Sequence, residues 1–166
     1  IAGGLWDLAG PMATFYAGAV FTALALVGLI SVQDGDEKAG AMTYLIVFLG
    51  GGLGAALRHG VNLGAARAFG TGFPAGTLLI NITGSIAMGL VAGYFAFKSA
   101  GAPQHWRLFL ATGVLGGYTT FSAFSLDAVL LFERNELGLA AAYVAGSVVL
   151  SILGLLAGLW VMRQFG

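Results

Sequence analysis

The sequence predicts an all-α transmembrane protein, with four closely linked spans and one extra N-terminal helix. Three observations carry this. The 166 residues are 58% hydrophobic and only 8% charged, against about 25% charged in an ordinary soluble domain. Mean hydropathy is +0.92. The charges leave long empty intervals, 8–33, 39–57, 68–97, 108–126 and 137–162. A helix crosses a bilayer with about 20 apolar residues, whereas barrel strands use about 9–11 and alternate, which these intervals do not. So few charges cannot clothe a water-soluble fold of this size. Seven Lys and Arg balance seven Asp and Glu, so no basic field invites nucleic acid. The absence of Cys excludes disulfides and thiolate metal sites.

The spans are expected over 12–32, 42–64, 75–97, 107–132 and 138–162. The first is too long for a signal-peptide core, and Asp7 but no Lys or Arg precedes it. A chain starting at Ile1 implies a missing natural start. The polar, acidic segment Gln33-Asp-Gly-Asp-Glu-Lys-Ala-Gly40 forms the boundary between an N-terminal part, 1–40, and a four-span domain, 41–166. Within that domain the links 65–74, 98–106 and 133–137 are short, which predicts antiparallel neighbours in one bundle. One membrane side carries Lys38, Lys98, Arg107 and Arg163, and the other Arg67 and Arg134 with Arg58 near it. That bias is weak and permits insertion both ways round.

Of the 28 glycines, six pairs have Gly-x-x-x-Gly spacing, where composition alone gives about five. The pairs therefore identify no particular helix contact. Gly113, Gly116 and Gly117, followed by β-branched Thr119 and Thr120, propagate a helix poorly, so the third span either breaks between Gly113 and Thr120 or continues as a helix with glycine packing seams. A membrane tolerates freed backbone groups only where they are buried in protein or line a cavity.

Polar groups among the apolar runs form one-faced stripes. Thr77, Asn81 and Ser85 stand at i, i+4 and i+8, as do Tyr143, Ser147 and Ser151. A Ser or Thr hydroxyl can serve its own helix by bonding the i−4 carbonyl. Asn81 cannot satisfy its amide that way and requires another helix, water or an ion. Phe121 and Phe124 share a face, either as core or with their positive ring edges toward an anion. Arg58 either snorkels or places a fixed charge at a vestibule. Asp127 either titrates in a proton relay or bonds to backbone and Arg. No set of residues with metal spacing, phosphate loop or base-paired nucleophile occurs, so no enzyme is expected.

Three ordered motifs resemble the Fluc (CrcB) fluoride channels over about residues 42–163. They are Gly51-Gly-Leu-Gly-Ala-Ala-Leu-Arg58, then Pro74-Ala-Gly-Thr-Leu-Leu-Ile-Asn81 with Gly84-Ser85, then Thr112-Gly-Val-Leu-Gly-Gly-Tyr-Thr-Thr-Phe-Ser-Ala-Phe-Ser125. The departures are Tyr118 where Phe is usual, Ala123 where Thr is usual and Asp127 where Glu is usual. The resemblance implies a four-helix channel subunit with a broken third helix, pairing with an inverted second copy as an antiparallel, dual-topology homodimer. It implies that Asn81 donates to fluoride and that the ring edges of Phe121 and Phe124 line its path. Tyr143, Ser147 and Ser151 match the family's polar track. Thr77 and Ser122 match further pore positions, and Arg58 matches the vestibule arginine. The carbonyls of Gly116 and Thr119 match those that hold a structural Na⁺ at the dimer interface. The implied function is passive export of cytoplasmic fluoride across a bacterial-type plasma membrane.

Residues 1–32 resemble the last helix of a major facilitator transporter, on Gly3-Gly-Leu-Trp-Asp-Leu-Ala-Gly-Pro11 and the apolar run after it. Two other functions compete. A small dual-topology, proton-coupled multidrug exporter needs an acid in the 42–57 helix, where there is none, leaving Asp127 to serve. A structural tail of a larger fused transporter would have no activity of its own.

Overall fold

The computed structural model describes residues 37–98, 101 and 103–165, with side chains from Gly40 onward. The expected 12–32 span and the first half of the polar segment after it lie outside the described residues. Two compact units divide the chain, Ile1–Ala41 and Met42–Gly166, and the described side chains belong almost wholly to the second.

All described secondary structure is helical. Helix α1 covers Glu37–Phe69. Gly70, at φ +76°, ends it in the left-handed conformation that glycine adopts without strain. Helix α2 covers Ala75–Gly93 and continues as a π-helical segment, Tyr94–Lys98. Then come α3 (Gln104–Arg107), a second π-helical segment (Leu108–Leu115), α4 (Gly116–Tyr118), α5 (Phe121–Glu133) and α6 (Leu137–Gln164). Together they give four helical stretches long and apolar enough to cross a membrane, Gly40–Phe69, Ala75–Lys98, Gln104–Glu133 and Leu137–Gln164. The π-helical segments were not expected from the sequence.

The glycine pairs prove informative where composition made them look incidental. A Cβ on Gly54 would collide with the Val114 carbonyl, and one on Gly117 with the Gly51 carbonyl. One on Gly50 would lie 2.7 Å from the Phe109 carbonyl. Thus 50/54 and 113/117 form one glycine-to-glycine seam. Gly89 and Gly93 form a second, against Gly158 and Met162 of α6. In both seams the residue numbers rise together, so the tightest contacts join alternate, parallel spans rather than the sequential neighbours that short links suggested. The small residues permit backbone approach, which substitutes for the hydrophobic drive that lipid does not supply. Gly60 and Gly64, by contrast, face open space.

The small buried core gathers Phe124, Leu131 and Tyr143, with Phe73, Leu78, Ala128 and Ala140 against it. Large apolar side chains such as Phe48, Phe132 and Trp160 point outward, as expected where the surroundings are lipid.

Candidate functional site

The break in the third span is narrower than expected. Gly116 and Gly117 stay helical, and only Thr119 (ψ 160°) and Thr120 (φ −155°, ψ 120°) are extended. Thr119 still closes the preceding turn, its N–H reaching the Leu115 carbonyl at 3.0 Å and its hydroxyl the same carbonyl at 2.9 Å. Thr120 opens the next helix, its hydroxyl accepting the Ala123 N–H at 3.2 Å as an N-cap. The Ser122 hydroxyl lies 3.3 Å from the same oxygen.

Extended backbone leaves polar groups without helical partners, and Asn81 supplies them. Its Oδ1 accepts the Thr120 N–H at 3.0 Å, and its Nδ2 donates to the Thr120 carbonyl at 3.1 Å. This is the partner helix the lone amide required. Gly84 lets the break lie directly on α2, because a Cβ there would collide with the Thr119 methyl. One Nδ2 hydrogen of Asn81 serves Thr120, and the other remains to donate elsewhere.

Asn81 also borders a cavity of about 370 Å³ beside the break. Ser85 faces it from α2, Ser147 and Ser151 from α6, and Thr120, Phe121 and Phe124 from the third span. The hydroxyls divide into two kinds. Thr83, Thr119 and Ser125 bond carbonyls of their own helical stretch at 2.7–2.9 Å. Ser147 and Ser151 do not; their oxygens are buried and unpartnered among the described residues. Burying a hydroxyl without a hydrogen bond costs about 1–3 kcal/mol, so the two point to something that enters the cavity.

The rings also differ. Phe121 and Phe124 lie 5.4 Å apart at 45°. Phe124 is 9% exposed and packs on Tyr143, so core packing accounts for it as well. Phe121 is 79% exposed, which packing within one chain does not explain.

Of the remaining expected site residues Thr119 also lines this cavity, and the others do not. Tyr143, one turn before Ser147 on α6, is outside that lining, with its hydroxyl 3.2 Å from an Asp127 carboxylate oxygen, and buried Thr77 lies against that hydroxyl. Asp127 opens instead onto a second cavity of about 320 Å³, shared with Thr71, Glu133 and Arg134. Arg58 is half-buried, one turn beyond Gly54, and makes no hydrogen bond or ion pair among the described residues. The Thr119 carbonyl belongs to the extended backbone. The Thr120 N–H, helical partner of the Gly116 carbonyl, is taken by Asn81. Among the described residues no group of three or more His, Asp or Glu could hold a metal ion. Two lining residues, Ser85 in the polar stripe and Thr120 at the break, stood out in the sequence but were not assigned to the pore. The i+4 spacing from Asn81 marks the first, and its place three before Ala123 at a helix start marks the second.

Residues 45–159 match the family model described as CrcB-like protein, Camphor Resistance (CrcB). The chain is 66% identical over 123 residues to the fluoride-specific ion channel FluC 2 of Nitrobacter hamburgensis, covering 74% of this chain and 98% of that protein. It is 66% identical over 122 residues to the fluoride-specific ion channel FluC of Rhodopseudomonas palustris strain BisB5, covering 74% and 98%. To the protein of the same name from Methylobacterium nodulans it is 63% identical over 122 residues, covering 74% and 97%.

Proposed function

The chain belongs to the CrcB family of multi-pass membrane proteins, and on that premise we propose that it is a passive, fluoride-selective channel that lets cytoplasmic fluoride leave the cell. It is not an enzyme. The observation that carries the reading is the pair of buried hydroxyls, Ser147 and Ser151, which have no partner among the described residues and face one cavity with Asn81. Fluoride is small and strongly hydrated, so a path for it must replace water with hydrogen-bond donors. The free N–H of Asn81, the two serine hydroxyls and the edges of Phe121 and Phe124 are such donors, and none carries a full charge. A binding site must be favourable enough to enter and weak enough to leave, and neutral donors meet both conditions. Asp127, the acid a proton-coupled exporter would use, faces the other cavity and is engaged by Tyr143.

We further propose that an inverted second copy completes the path. The exposure of Phe121 beside an open cavity supports this, since a partner would cover the ring and close the wall. The weak charge bias between the two ends permits opposite insertion. Gly116 and Thr119 would hold a structural Na⁺ through their carbonyls. Hard oxygen ligands suit such an ion, and diversion of the Thr120 N–H to Asn81 frees the Gly116 carbonyl for it. The ion would cross-link two breaks and take no part in conduction.

Fluoride and chloride efflux from liposomes tests the channel reading. Labelling of single cysteines placed at one end of α6, from both sides of sealed vesicles, tests the pairing. Labelling from one side only would contradict inverted copies.

A further inference from the structure

The two membrane ends of the chain differ in how their cations are held. At one end three cations rest on aromatic faces. Lys98 Nζ lies 5.9 Å from the Phe165 ring centre, the Arg163 guanidinium 5.5 Å from that of Phe97, and the Arg107 guanidinium 5.8 Å from that of Phe95. These contacts tie together the ends of the second and fourth spans and the start of the third. None of the three cations forms an ion pair among the described residues. The acids whose side chains are described, Asp127, Glu133 and Glu136, belong to the opposite end. There Arg134 is committed, donating to the Gly72 carbonyl at 3.1 Å and lying 3.7 Å from Glu136.

A ring face holds a cation through its quadrupole and leaves most of its N–H donors free. The three groups are thus fixed at the level of the aromatic side chains with donors to spare. A guanidinium presents a planar fork of donors that fits a phosphate. Beside Arg107 lies a cavity of about 430 Å³, walled by the polar Gln104 and Thr112 and by the apolar Leu108 and Ala111. Gln104 and Arg107 stand at the start of the span, and Leu108, Ala111 and Thr112 follow further along it, an order that suits a phosphate headgroup followed by the start of an acyl chain. Trp106, next in sequence, is exposed in the manner of interfacial aromatic anchors.

We propose that this end is a docking site for an anionic phospholipid, with Arg107 at the cavity gripping the phosphate and Lys98 and Arg163 supplying the surrounding field. The site is separate from the fluoride cavity and does not depend on conduction. The test is native mass spectrometry of the full chain released from nanodiscs of mixed phosphatidylglycerol and phosphatidylcholine. Wild-type protein should retain phosphatidylglycerol in preference to phosphatidylcholine. Retention should fall about fivefold for each cation removed, through R107Q to K98Q/R107Q/R163Q, while R67Q at the opposite end leaves it unchanged. The same spectra report whether each variant keeps the wild-type assembly. Equal retention by wild type and the triple variant, an equal loss in R67Q, or displacement of the lipid by inorganic phosphate would each overturn the assignment.

Discussion

Asn81 holds both backbone groups of Thr120, accepting its N–H at 3.0 Å and donating to its carbonyl at 3.1 Å. One side chain thereby satisfies a helix break inside a membrane protein and still keeps an N–H for a ligand. The two duties can be separated by substitution. In N81D one carboxylate oxygen can still accept the Thr120 N–H, but nothing donates to the carbonyl, and a negative charge borders the cavity. Fluoride flux should fall by more than tenfold while the protein still assembles. Flux within twofold of wild type would remove Asn81 from the path.

Ser147 and Ser151 give the opposite dissociation. Neither hydroxyl has a partner among the described residues, so S147A or S151A removes an unsatisfied buried group. Thermal stability in detergent should hold steady or rise by up to about 1 kcal/mol, while fluoride flux drops severalfold. A marked loss of stability with flux intact would make these serines structural.

Thr120 separates capping from clasping. T120A keeps the backbone clasp to Asn81 but loses the cap on the Ala123 N–H. It should cost about 1 kcal/mol in unfolding, and T120S should restore most of it. Equal stability of T120A and wild type would show that the cap contributes nothing.

The seams predict which glycines tolerate a methyl group. A Cβ at Gly117 collides with the Gly51 carbonyl, so G117A should sharply reduce folded yield. G64A, facing open space within a helix, should be neutral or stabilising by about 1 kcal/mol. Similar yields for both variants would contradict the first seam.

Much of this was legible in the sequence because the causes are local. Gaps between charges marked the spans, since hydropathy over about 20 residues decides membrane crossing. The stripe of Tyr143, Ser147 and Ser151 identified one face of α6, since helical period decides which residues share a face. What escaped depends on two elements meeting. Gly-x-x-x-Gly spacing is as frequent as chance allows, and only the opposing Gly113 and Gly117 distinguish 50/54 from 60/64. The break sits at Thr119 and Thr120 rather than the glycines, because Asn81 across the bundle satisfies both backbone groups of Thr120. Likewise, sequence could not tell Ser125, which bonds its own helix, from Ser147, which does not.

The central claim is selective passage of fluoride through the cavity beside the break. Its most direct test is ion efflux from liposomes holding the purified protein and loaded with potassium fluoride or potassium chloride, with valinomycin to release the potential. Rapid fluoride efflux, at least a hundredfold faster than chloride and lost in N81D, is the predicted result. Chloride efflux at the same rate, or no fluoride efflux from protein that is folded and inserted, would contradict it.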